Sequence, residues 1–138
     1  NYFLYSDKLA FEEIIPLIST KKYIDQFYYL FNIYLERTVS AGHNLFRQII
    51  KRNLDKDTQT LDPEKIAMRK IYISLIENAQ ADRQILNMTP ASELVDAIVY
   101  MADGIALVWC NKRGKLDMMA EHKRIINSLL LINPDYRK

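Results

Sequence analysis

The stretch from Thr89 to Gly114 reads TPASELVDAIVYMADGIALVWCNKRG, and it decides the fold class. Thr89 stands before Pro90, the order of a helix N-cap followed by proline at the first helical position. Gly114 suits the C′ position, and Lys112 and Arg113 fall in the last turn, where the negative end of the dipole favours cations. Between these ends the segment is apolar on almost every side, interrupted by Asp96, Asp103 and a few neighbours. A helix apolar all round is buried from several directions. Ala97, Ala102, Gly104 and Ala106 add small residues that let another helix come close. In a chain of 138 residues, such a helix is expected to pack on its own domain and on a partner, at the centre of a dimer.

Five further helices surround it. The first starts near Asp7 and carries Phe11, Ile14, Ile15 and Ile18, with Pro16 expected to kink or end it. The second runs from about 22 to 40 and places Ile24, Phe27, Tyr28, Phe31, Tyr34, Leu35 and Thr38 at i, i+3, i+4, i+7 spacing. Gly42 breaks it. The third, about 43 to 54, has Leu45, Phe46, Ile49 and Ile50 against Arg47, Lys51 and Arg52. After the polar loop DKDTQTL at 55–61, Asp62-Pro63-Glu64 starts the fourth with N-cap, proline and first-turn acid in order. Met68, Ile71, Tyr72, Leu75, Ile76 and Ala79 give its apolar face. The sixth, about 115 to 131, uses Met119, Ile126 and Leu130 beside Met118, Ile125 and Leu129, and Asn133-Pro134 stops it. No window alternates as a strand.

Composition sets the class. Hydrophobic residues make up 49% and charged residues 26%, a folded domain and not a disordered one. Three Gly and four Pro leave few breaks, which suits long helices. A formal charge of +2 is too small to argue for nucleic acid by itself. Cys110 is alone, so a Cys-based metal set is excluded and a reducing, cytoplasmic setting is expected. No run approaches 18 uncharged apolar residues, so no membrane partner is expected. The chain begins at Asn1 inside what reads as structured sequence, from which an upstream segment is expected.

Catalytic and metal chemistry find no support. His43 and His122 lack Cys or carboxylate partners at ligand spacing, and Glu121-His122 are adjacent positions that point apart on a helix. Both read as helix-cap or surface histidines. Ser74 and Ser92 lack a G-x-S-x-G setting. Glu12-Glu13 reads as one core-edge and one solvated acid. Cys110 reads as a small core residue. Arg47/Lys51/Arg52 and Lys112/Arg113/Lys115 read as solvated faces. No enzyme activity, cofactor or metal is expected.

Three stretches resemble one family. Tyr2-Phe3-Leu4-Tyr5-Ser6-Asp7-Lys8-Leu9-Ala10-Phe11 is similar to a junction pattern Y-x-[YH]-F-x-[SN]-K-x-x-L. Tyr2 and Lys8 fall on its Tyr and Lys. Tyr5 replaces Phe, Asp7 replaces Ser or Asn, Phe11 replaces Leu, and Leu4 departs from the pattern. Ile24 to Leu54 resembles a long helix, glycine break and short helix. Ile76 to Trp109 resembles a helix end, polar loop, capped helix and Gly-hydrophobic-Trp run. Together they resemble the C-terminal domain of the TetR (tetracycline-repressor-like) transcriptional regulators.

The resemblance implies an all-α, six-helix orthogonal bundle whose last two long helices form a dimeric four-helix bundle. Residues 1–6 would be the remnant of an N-terminal helix-turn-helix, and 7–138 the effector-binding and dimerisation domain. Tyr2 and Lys8 would touch DNA phosphates in the intact protein. DNA would be bound only through the missing helix-turn-helix. In the family the second to fifth helices enclose the effector pocket, so Tyr28, Phe31, Tyr34, Thr38, Phe46, Tyr72, Tyr100 and Trp109 are expected to contact a small, mostly apolar effector. Arg69 and Asn78 are further polar candidates. Acids are scarce on these faces, which disfavours a strongly cationic effector. The dimer seam is expected at Ala97, Met101, Gly104, Val108, Met119, Ile126 and Leu130. The alternative is a helical dimeric interaction module with a filled core and no small-molecule ligand.

Overall fold

A computed structural model describes residues 22–56 and 63–136. They form five α-helices: α1 (Tyr23–Ala41), α2 (His43–Lys56), α3 (Pro63–Ala81), α4 (Ala91–Asn111) and α5 (Met118–Leu130), followed by a 3-10 turn at Pro134–Tyr136. No strand occurs among the described residues, as expected of an all-α chain. The helix expected near Asp7, the 6/7 domain boundary, Tyr2 and Lys8 lie outside them.

α1 forms because Ile24, Phe27, Leu30, Phe31, Leu35 and Thr38 recur on one face and are all buried. Gly42 ends it at φ 94°, with its N–H donating to Thr38 O and Val39 O at 3.2 Å. A side chain other than glycine would be strained there. The start of α1 is capped from a distance. Lys22 supplies no side-chain cap, and the Ile24 N–H donates to buried Gln84 Oε1 at 3.0 Å.

α4 starts one residue later than its sequence implies. Pro90 is the N-cap at φ −48° and ψ 133°, and no side chain caps the helix. Thr89 is held outside it, its N–H donating to Asn87 Oδ1 and its carbonyl accepting from Gln80 Nε2. The extended ψ of Pro90 makes the helix begin after the proline. The other end is also shorter than expected. The helix stops at Asn111, and Arg113 (φ 55°) and Gly114 (φ 82°) reverse the chain, with Gly114 N–H donating to Trp109 O at 2.9 Å. Lys115 to Asp117 therefore belong to the turn. α5 begins at Met118, where Asp117 Oδ1 accepts the Ala120 N–H at 3.0 Å. It ends at Leu131 in the left-handed region, φ 53°.

The link from α3 to α4 is not a plain loop. Ile85 and Ile132 form an isolated antiparallel bridge, flanked by Leu86 N–H to Leu131 O at 2.9 Å and Asn133 N–H to Gln84 O at 2.9 Å. This closes one end of the bundle.

The core has two parts. The larger joins α1 (Ile24, Phe27, Leu30, Phe31, Leu35), α3 (Met68, Leu75, Ile76, Ala79), the first half of α4 (Ala91, Leu94, Val95, Ile98) and α5 (Ile126, Leu130). The smaller joins Phe46 of α2 to Ile105, Ala106, Trp109, Cys110 and Met118. Cys110 is buried, as its apolar setting implies. Arg69 pairs with Asp96 at 2.5 Å, but both side chains are about 40% exposed, so this pair contributes at most about 1 kcal/mol. Each fully buried aliphatic side chain contributes about 1.5–3 kcal/mol. Apolar packing therefore holds α3 on α4.

His122 corrects the sequence reading. It is 1% exposed, inside the larger core, with its ring 5.6 Å from that of Phe31. Its Nδ1 lies 2.6 Å from Met118 O. A carbonyl can only accept, so Nδ1 carries the proton. Nε2 is buried without a hydrogen-bond partner. Burial pushes the imidazole below its ordinary value, against smaller raising contributions from the Met118 bond and Glu121.

Two predictions follow from this packing. A Cβ on Gly114 would lie 2.9 Å from His43 Nδ1, at a φ of 82°. Gly114→Ala should lose about 1–2 kcal/mol in urea denaturation. His122 is neutral when folded, while the unfolded chain takes a proton below about pH 6.5. Stability should therefore fall as pH drops below 6.5, because the unfolded state binds the extra proton. His122→Met should flatten the stability profile below about pH 6.5. An unchanged slope would contradict the assignment.

Candidate functional site

A half-open cleft of about 530 Å³ lies between α1 and α5 and reaches the 3-10 turn. Asp25, Tyr28, Tyr29 and Asn32 line it from α1, at i, i+3, i+4, i+7 spacing. Met119, Ala120, Lys123 and Asn127 line it from α5, with Asp117 before that helix and Ile132 and Tyr136 after it. These rows sit beside the buried stripes of both helices, so each helix turns one face to the core and the adjacent flank to the cleft.

Tyr28 joins the two walls, its hydroxyl donating to Asn127 Oδ1. Burial pushes this phenol well above its usual range, so it stays a protonated donor. At the rim, the Lys22 ammonium lies 4.7 Å from the centroid of the Tyr136 ring. The cleft thus offers three phenol rings, two amides, a lysine, and two carboxylates where few acids were expected. One oxygen of Asp117 is used as the α5 cap.

The expected effector contacts are distributed over several places. Tyr28 alone among them lines the cleft. Phe31, Tyr34 and Tyr72 form a ring cluster with Phe27 and His122. Phe27 and Phe31 stack at 5.8 Å, and Tyr72 meets both edge-on. Thr38 is buried, its hydroxyl donating back to Tyr34 O at 3.0 Å. Phe46 and Trp109 pack on each other in the smaller core. Tyr100 is 72% exposed and apart from all of these. Arg69 is engaged with Asp96, and Asn78 is exposed.

The residues missed by sequence reasoning are mainly polar: Asp25, Asn32, Asp117, Lys123 and Asn127. Their signal was present in the i, i+4, i+8 row Met119, Lys123, Asn127. That row lies along the edge of an apolar stripe and reads as solvent-facing unless a second helix is known to stand opposite.

The residues expected at a dimer seam also divide. Gly104 and Val108 are exposed and Ala97 and Met101 half-buried, with exposed Tyr100 and Leu107 beside them. A Cβ at Gly104 meets nothing within 4 Å. On α5 the expectation needs correction. Ile126 and Leu130 are 0% exposed in this chain's own core, and Met119 lines the cleft. The half-buried apolar positions left on α5 are Ile125 and Leu129, one residue earlier in the helical register.

At the far end of α4, the two basic clusters meet. Arg47 Nη2 donates to Cys110 O at 2.8 Å, and the His43 ring stands edge-on to Trp109 at 6.1 Å. The first turn of α2 is thus clasped to the α4–α5 turn. Among the described residues, no group of His, Cys, Asp or Glu could hold a metal ion, and no helix is long and apolar enough to cross a membrane. Comparison with known proteins gives no matching family model, no matching curated protein and no matching solved structure.

Proposed function

We propose that the chain is the effector-binding and dimerisation domain of a TetR-like, cytoplasmic DNA-binding regulator. The observation that carries the reading is the cleft between α1 and α5, with the Tyr28–Asn127 bond across it. A small effector with an apolar body and a few hydrogen-bonding groups fits such a wall of tyrosines, amides and Met119. An effector that takes over either partner of that bond changes how α1 sits on α5. The helix expected from about Asp7 precedes α1 and, as the resemblance implies, would carry the shift toward the DNA-binding domain. The effector acts only through its different affinities for the two arrangements. Half-sites are about 34–36 Å apart, so a misfit of a few ångströms weakens operator binding.

The outward face of α4 supports the dimer. Tyr100, Leu107 and Val108 are 42–72% exposed around Gly104, an apolar face that a partner helix could cover. A two-fold pairing of α4 and α5, using Ile125 and Leu129, would bury the roughly 1,200–2,000 Å² of a standard interface. The packed rings of Phe31, Tyr72 and Trp109 favour the interaction-module reading at the centre of the bundle, and the ligand experiment separates the two.

In a thermal-shift screen of hydrophobic metabolites and drugs, at least one class should raise the melting temperature. Tyr28→Phe should cost about 1 kcal/mol and shrink that shift. No hit, or hits indifferent to Tyr28→Phe and Lys123→Ala, would leave the interaction module. Sedimentation at micromolar concentration should show a dimer. Gly104→Glu has open space in the monomer, so it should give a folded monomer. A wild-type monomer would refute the seam.

A further inference from the structure

We propose that the ridge formed by α2 and the α4–α5 turn binds the phosphate backbone of nucleic acid without reading its sequence. This goes beyond the effector and dimer reading and does not depend on it. The overall charge of +2 conceals a strong segregation. Residues 43–56 and 112–115 hold seven Lys and Arg against one acid, Asp55, a formal +6. The rest of the chain then carries −4.

The fold brings these two segments together. Arg47 reaches Cys110 O, the Cys110 thiol lies 3.6 Å from His43 O, and a Cβ on Gly114 would touch His43. The turn holding Lys112, Arg113 and Lys115 therefore lies against the first turn of α2. Arg47 and Lys51, four residues apart, continue the row along α2, and all five cations are exposed. The ion pairs among the described residues join Arg69 to Asp96 and Arg124 to Glu121. None involves Lys51, Lys112, Arg113 or Lys115. Uncompensated cations in a cluster make a local potential that attracts polyanions.

The exposed neighbours choose the polyanion. Asn44, Gln48, Asn53 and Asn111 stand among the cations, and amide side chains with Arg and Lys are the usual contacts to phosphate and sugar. Stable seating on a membrane surface joins such charge to an apolar face turned outward. Here Phe46 and Trp109 face inward and Ile50 packs on the same cluster. Leu45 and Leu54 are exposed but nine residues apart, on opposite sides of the helix.

The test uses the whole chain and a labelled duplex of about 20 base pairs, in several unrelated sequences, followed by fluorescence anisotropy. Binding should be of about 10⁻⁴–10⁻⁶ M at physiological salt, similar for all sequences, and weaken steeply with salt. The triple variant Lys51→Glu, Lys112→Glu, Arg113→Glu should lose about tenfold or more and flatten the salt dependence. A control of equal net charge, Lys70→Glu, Arg83→Glu, Arg124→Glu, should bind more tightly than that triple and keep the wild-type salt slope. Circular dichroism checks both folds, and Lys51→Gln with Arg113→Gln is the milder pair if the triple unfolds. Equal losses in the two triples would assign the binding to net charge and overturn the ridge. So would a strong preference for one duplex, or retention by phosphatidylserine vesicles with none by the duplex.

Discussion

Gln84 is the residue on which the arrangement of the helices depends. It is buried just after α3, and its polar groups are used in three directions. Its side-chain oxygen caps α1 through Ile24, its own N–H donates to Ala79 O at the end of α3, and its carbonyl accepts from Asn133 beyond α5. Its amide nitrogen donates to Asp82 at 2.8 Å. Three helix ends that are far apart in sequence thus meet at one buried residue, α1 through its side chain and the other two through its backbone. Leaving such groups unpaired costs about 1–3 kcal/mol each, so the chain cannot bury Gln84 without assembling all three ends together.

That constraint also places the cleft. Ile132 and Tyr136 reach it because the Ile85–Ile132 bridge holds the segment after α5 against the segment after α3. The start of α1 is held there by Gln84. The walls of the cleft are therefore fixed near Asp25 and Ile132. Along its length, the Tyr28–Asn127 bond is a single contact between half-buried groups that a competing hydrogen-bonding group could replace.

Sequence periodicity was enough for the helices among the described residues because their apolar residues recur at 3.6-residue spacing, Gly42 ends one cleanly and Pro63 starts another. The helix ends were less legible. Pro90 kept an extended ψ and so became the cap, and Arg113 joined Gly114 in the left-handed region, which no pattern of side chains announces. The register of α5 was ambiguous because Met119, Ile126 and Leu130 run beside Met118, Ile125 and Leu129. Periodicity identifies an apolar face, but which flank meets the core and which meets a partner depends on the neighbouring helices. Aromatic residues were read as one wall, whereas Phe31 and Trp109 belong to separate core clusters. The bridge, the Gln84 cap and the burial of His122 are long-range facts with no local signal.

The division of the core has a consequence for how this protein reports on itself. Its single tryptophan and single cysteine, Trp109 and Cys110, are adjacent and both buried in the smaller cluster. Burial raises the Cys110 thiol, more than neighbouring Arg47 lowers it. Indole emission and thiol labelling therefore observe the seating of α2 on α4 and say little about the larger core. Tyrosine signals draw on the larger core, where Tyr28, Tyr34 and Tyr72 pack, while helical content reports on both parts. Comparing the two kinds of probe measures whether the halves of the bundle come apart as one cooperative unit or as two.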